Sequence, residues 1–236
     1  MKTHSIFSFS IISVCALAVA FATNLSAQKN AAPSVFQADK GKFNILLDGK
    51  SVGKEEFEIE PNGSGWVAKG TTEIKTEGAS AEVITGNLTL QANGAPMAYD
   101  WVSKADKTNS AHITFANGIA KIALEVQGAR PYEQELSFNS PLVAVLDNNL
   151  YHHYAVLARI YDWSKRGPQT LPVLIPQEIT PGTITAEATG SATSGGKTYE
   201  GLRVTTSDLE VLLLLDANHR LMRLEVPSSK VTVVRE

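Results

Sequence analysis

The residues best suited to acid-base or metal chemistry are His152 and His153, adjacent to one another in a stretch with helical spacing. Neighbours on a helix point about 100° apart, so one metal ion would take both only if the backbone unwound. His153 falls on the apolar stripe of that stretch and His152 on its flank. A hydrogen-bonded core or boundary histidine is the plain reading, with proton transfer and metal ligation as the alternatives. His112 and His219 belong to a strand pattern and a turn pattern elsewhere, and nothing in the spacing makes them converge. There is no HxxxH or HExxH spacing, so no metal site is expected.

Nucleophilic and phosphate chemistry find no better footing. Neither Gly63-Ser64-Gly65 nor Gly190-Ser191 matches the G-x-S-x-G elbow of a serine hydrolase, and both read as turns. A phosphate cradle needs a Gly-rich turn leading into a helix, whereas the helical stretch here is opened by Asn139-Ser140-Pro141. Glu55, Glu56, Glu58 and Glu60 read as the charged face of a strand. Asp100 beside Trp101 and Asp162 beside Trp163 are better acid candidates, because an aromatic wall can raise a carboxyl pKa, but neighbours in a strand point to opposite faces. No catalytic residue and no cofactor is assigned.

The aromatic residues pose a different question. Tyr99, Trp101 and Tyr132 fall in strand patterns, and Tyr151, Tyr154, Tyr161 and Trp163 crowd the helical stretch and its end. They can fill a helix-sheet core, or they can line an apolar ligand cavity with their polar tips toward water. The candidate ligand-binding set is Trp101, Tyr132, Leu150, His153, Tyr154 and Leu157.

The elements that must position these side chains are mostly strands. Phe57 and Ile59 alternate with glutamates, Ile113 and Phe115 with His112 and Thr114, and Ile122, Leu124 and Val126 with polar residues. Asp48-Gly49, Asn93-Gly94, Asn117-Gly118 and Gly128 punctuate the runs, which predicts an antiparallel meander. Period two gives way between Ser140-Pro141 and Gly167-Pro168, where Leu142, Leu146, Leu150, His153, Leu157 and Ile160 recur at helical spacing. That spacing predicts one long helix over 141–165, with Asp147-Asn148-Asn149 able to bend or split it. Pro172, Pro176 and Pro181 then mark an edge strand or extended connection, Thr189 to Gly196 a Gly/Ser/Thr loop, and Asp216 to His219 a hairpin turn. The fold class expected is mainly β, a strongly curved antiparallel sheet, half-barrel or open barrel, wrapped around the helix.

Composition narrows the partners and the compartment. The chain has 236 residues with 21 Lys plus Arg against 24 Asp plus Glu, so no basic field argues for nucleic acid. Lys2 precedes an uncharged run from Ile6 to Ala22, followed by Leu25-Ser26-Ala27, the pattern of a signal peptide over 1–27. A retained N-terminal anchor is the alternative. Val14 before Cys15 does not fit a lipoprotein site, and Cys15 is the only cysteine. Cleavage would leave a cysteine-free chain of 209 residues with the net charge moved from -3 to -4, no stable membrane span, and a periplasmic or secreted location. Residues 28–39 read as a flexible leader and 40–236 as a single domain.

The opening strand with Asp48-Gly49 and Val52-Gly53, the Ser-Pro-initiated segment with Leu157-Ala158-Arg159, and the closing hairpin from Leu215 to Pro227 resemble exported bacterial half-barrel proteins of unknown function. Those are similar in outline to the periplasmic lipoprotein-carrier fold. The tail through Val233-Val234-Arg235-Glu236 also resembles the accessory β domain that precedes some exported α/β hydrolases. The resemblance implies a half-barrel and carries no catalytic residues with it. The expected function is therefore a non-enzymatic periplasmic protein that binds a lipid or other apolar ligand in the concavity of its sheet. An accessory or assembly module acting through a protein partner is the second reading, and a hydrolase, needing His152 or His153 beside an acid and a serine, is the third.

Overall fold

A computed structural model describes residues 34–236; the signal-peptide reading and residues 28–33 lie outside them. Alternating side chains and tight turns produce one open antiparallel meander. It begins in the middle of the sheet with β1 (Asp39–Leu47) and moves outward through β2 (Lys50–Asn62), β3 (Gly65–Ile74), β4 (Glu82–Leu90) and β5 (Pro96–Lys104). It continues through β6 (Thr108–Ala116) and β7 (Ile119–Val126) to one edge at β8 (Tyr132–Ser137). The chain then crosses to the other edge through β9 (Ala144–Val145) and α1 (His152–Ile160). From β10 (Gln169–Ile175) it returns through β11 (Thr180–Ser194), β12 (Lys197–Thr205), β13 (Glu210–Leu215) and β14 (Leu221–Val226) to β15 (Val231–Arg235). The result is a 15-stranded sheet, mainly β in class, with β8 and β9 at its two free edges. Every pairing is antiparallel except the two-residue contact of β9 with β10.

The turns behave as their residues require. Asp48-Gly49 and Asn117-Gly118 hold consecutive positive φ angles of 50° and 78°, and 52° and 78°, the geometry whose twist matches that of flanking strands. The seam between the wings is the β1–β15 pair. There Arg235 donates to both oxygens of Asp39, at 3.1 and 2.7 Å, while its guanidinium lies 5.2 Å from the Phe57 ring centre. Its path crosses Gly41, where an added Cβ would meet the guanidinium at 2.8 Å.

The long helix expected over 141–165 is instead nine residues, His152–Ile160. Ser140 does accept a local backbone bond, from Leu142 N–H at 3.1 Å, but this closes a turn and starts no helix. Val143, Ala144, Val145 and Leu146 that follow are extended and buried on every side, with Val145 opposite Leu174, and burial all round imitates a helical stripe. Asn149 then takes a left-handed φ of 61° immediately before the chain coils. Two smaller expectations also change. The Gly/Ser/Thr segment is the end of β11 with only Gly195-Gly196 as its turn, and Pro172 sits inside β10 opposite Thr183. The leader is anchored near its end, for Phe36 is buried with its ring 5.6 Å from that of Trp66.

Small residues on the inner face decide where α1 sits. Gly41, Phe57, Gly70, Gly86, Trp101 and Ala111 are successive cross-strand partners from β1 to β6. The missing side chains at Gly70 and Gly86 leave a trough that the start of the helix fills. A Cβ at Gly70 would lie 2.4 Å from the His152 ring, and one at Gly86 would lie 2.8 Å from Leu150 Cδ1.

Candidate functional site

The helix start is held by a residue far away in sequence. In β2, Glu55 shares the inward face with Phe57 and Ile59, while Glu56 and Glu58 face outward. The reading of Glu55 as part of a charged outer face is therefore corrected: its side chain is fully buried. One carboxylate oxygen accepts Tyr151 N–H at 2.9 Å, both accept His152 N–H at 3.2 and 3.3 Å, and His152 Nδ1 lies 2.5 Å from Oε1. No side chain within the helix caps its first turn, so Glu55 satisfies the free amide donors and places negative charge at the positive end of the helix dipole. With Glu55 ionised, the proton between the two groups resides on His152 Nδ1.

His153 belongs to a second set of bonds that joins the two wings. Its Nδ1 accepts Asp147 N–H at 3.1 Å, which puts the ring proton on Nε2. Burial, assisted by the neighbouring His152, holds the His153 pKa well below the usual histidine range. The Asp147 carboxylate accepts from the Tyr99 hydroxyl of β5 at 2.7 Å and from Gln177 N–H, in the Pro176–Glu178 turn after β10, at 3.0 Å. Burial raises Asp147 from 3.8 to about 6 despite these bonds, and raises Tyr99 well above the usual phenol range. The His153 and Tyr99 rings meet edge to face at 5.3 Å. Neither His152 Nε2 nor His153 Nε2 has a hydrogen-bond partner among the described residues.

The candidate ligand residues divide between the core and the surface. Trp101, Leu150, His153 and Leu157 are buried within the core, whereas Tyr132, at the start of edge strand β8, is 48% exposed. Tyr154 is partly buried and borders a cavity of about 90 Å³ with Leu146, Val173 and Val211. A larger cleft of about 290 Å³ opens on the same rim of the sheet, on the other side of the Asp147–Tyr151 loop. Its wall is Ile45, Leu47, Val52, Ile74, Val231 and Tyr151, and Thr76, Ser80, Glu82 and Asn149 supply the polar atoms. Only Tyr154 of the candidate set borders either space. The other two histidines among the described residues do not join the buried pair: His112 bonds Asp100 on the exposed face at 2.6 Å, and His219 stacks on Trp163 and lies 3.1 Å from Glu200.

The signal that could have found Glu55 is its parity with Phe57 and Ile59. His152 and Glu55 do bring a base and an acid together. No serine bonds either histidine among the described residues, and no group of three His, Cys, Asp or Glu residues there is placed to hold a metal ion.

Fold and site together define a barrel-like open sheet whose interior is filled by one short helix docked on a buried acid. Among solved structures the chain is similar to a beta-barrel-like protein of the domain of unknown function DUF1849 from Brucella abortus. The likeness has a TM-score of 0.55 at 9% identity and covers 84% of this chain and 94% of that one. A DUF1089 family protein from Pseudomonas aeruginosa gives a TM-score of 0.46 at 8% identity over 74% and 90% of the two chains. At such identities the first likeness shows the fold alone. No family model matches the sequence, and no curated protein matches it.

Proposed function

We propose that the protein is an exported, non-enzymatic binder of an apolar small molecule, with the rim cleft as its seat. The observation that carries this reading is the cleft itself, an aliphatic wall of Ile45, Leu47, Val52, Ile74 and Val231 with a polar mouth. Its volume of about 290 Å³ falls just below the ~300–1,000 Å³ usual for ligand pockets, which points to a small ligand. The concavity beneath it is occupied by α1 and core side chains, so the ligand seat moves from the middle of the sheet to its rim. Export rests on the charge-apolar-small pattern of residues 1–27. Among the described residues no helix is long and apolar enough to cross a membrane.

The test is a titration with Nile red, a neutral apolar dye. Saturable binding at one site is expected, and Ile74→Trp, which fills the cleft from β3, should abolish it while the urea unfolding midpoint stays near that of the parent. Absence of saturable binding, or equal binding by Ile74→Trp, would overturn the reading. Val52→Phe fills the same space from β2 and serves if the Trp variant fails to fold.

A further inference from the structure

We infer that the occupant of the rim cleft is a single-chain amphiphile whose head group is a hydrogen-bond donor and is not anionic. This rests on the apolar-ligand reading above and adds the chemical class. No Lys, Arg or His lines the cleft, and its one charged residue is the carboxylate of Glu82. Glu82 Oε1 already accepts the Ser103 hydroxyl at 2.6 Å, which fixes the carboxylate at the mouth. The Asn149 backbone carbonyl accepts the Thr72 hydroxyl at 2.6 Å, and its side-chain Oδ1 lies 3.5 Å from the Tyr151 hydroxyl that donates to it, so neither oxygen is a free acceptor for an incoming head group. Lys54 and Lys75 border a separate groove that shares Val52, Ile74 and Glu82 with the cleft, and Lys54 is engaged by Glu73 at 3.7 Å. Lys230 is likewise engaged, by Asp48 at 3.4 Å.

An acidic head group would thus sit beside Glu82 with no cation in the lining of the cleft itself to compensate it, Lys75 belonging to the adjoining groove, against both Coulomb repulsion and desolvation. A hydroxyl or ammonium group would donate to the same carboxylate. Size limits the tail: at about 30 Å³ per water-sized group, a cleft of about 290 Å³ takes on the order of ten such groups. One medium-length chain fills that space.

The experiment compares 1-decanol, decylammonium and decanoate with the full chain at pH 7 by calorimetry, decanol below its solubility limit and the two ions below their micelle concentrations. Decanol and decylammonium should bind, with decanoate at least about 10-fold weaker, and Glu82→Gln should bring decanoate to within about 3-fold of decanol. Decanoate binding as tightly as decanol, with Ile74→Trp still abolishing both, would overturn the head-group inference and leave the cleft reading standing. If none of the three binds, or Ile74→Trp changes nothing, the cleft reading falls and the inference with it.

Discussion

The two wings of the sheet are built by the same meander yet have opposite inner faces. From β11 to β15 the inward residues are aliphatic, with Ile184, Leu202, Val204, Leu213, Leu224 and Val233 all buried, and this wing stabilises the fold mainly by apolar burial. From β1 to β5 the inner face has gaps at Gly70 and Gly86 and a charge at Glu55, and the helix start fills those gaps and meets that charge. A strand sequence thus specifies more than a hydrophobic surface. Where its inward positions are Gly and Glu, it specifies a docking place for a particular piece of chain.

The largest way to break this contrast is Glu55→Ala. It strips the acceptor from Tyr151 N–H, His152 N–H and His152 Nδ1 and should cost about 3–5 kcal/mol by urea unfolding. Leu213→Ala in the other wing falls in an overlapping range of about 2–5 kcal/mol, so stability alone does not separate them. Amide exchange does: Glu55→Ala should speed exchange first at α1, and Leu213→Ala should lower protection throughout. Uniform loss in both variants would contradict the docking role.

Next in size is the pH dependence of the Asp147 bridge between the wings. Its folded pKa of about 6, above the ordinary 3.8, means that the native state binds more protons than the unfolded state between those values. Stability from this group therefore falls as pH rises through that window, by about 3 kcal/mol at most. His153 works the other way. Its folded pKa lies well below 6.5, so the stability that comes from keeping it neutral is lost as pH falls below 6.5. Asp147→Asn should make the protein lose stability more steeply on acidification from pH 7 to pH 4.5, and His153→Gln should make it lose less. Urea unfolding curves whose pH dependence matched the parent in both variants would contradict this assignment.

Smaller effects sharpen the comparison. Gly70→Ala drives a methyl into the His152 ring and should cost about 1–3 kcal/mol. Gly182→Ala, on β11, meets only Val173 Cγ1 at 3.4 Å and should be near neutral by thermal unfolding. Smallest of all, Lys42→Ala removes an exposed pair with Glu56 on the outer face and should leave the unfolding midpoint unchanged.

Strands and turns were legible because their signals are local. The alternation about Phe57, Ile113 and Leu124, and the Asp-Gly and Asn-Gly pairs, act within a few residues and reappear as β2, β6, β7 and their turns. The helix start was misplaced because Ser140-Pro141 has the local form of a cap, whereas the group that caps α1 is Glu55, 96 residues before Tyr151. The candidate ligand residues follow from aromatic content and helical spacing. The cleft, by contrast, is walled by aliphatic residues that only the pairing of β1 with β2 and β15, and of β2 with β3, brings together. Antiparallel order, once known, places those strand ends on one rim.

The most direct measurement of the central claim is a titration of methyl-labelled protein with 1-decanol followed by carbon-proton NMR. The methyl groups of Ile45, Val52, Ile74 and Val231 should shift together in a saturable manner, while those of Leu213, Leu215 and Leu224 stay still. Shifts confined to the leucine-rich wing, or no saturable shift at all, would contradict it.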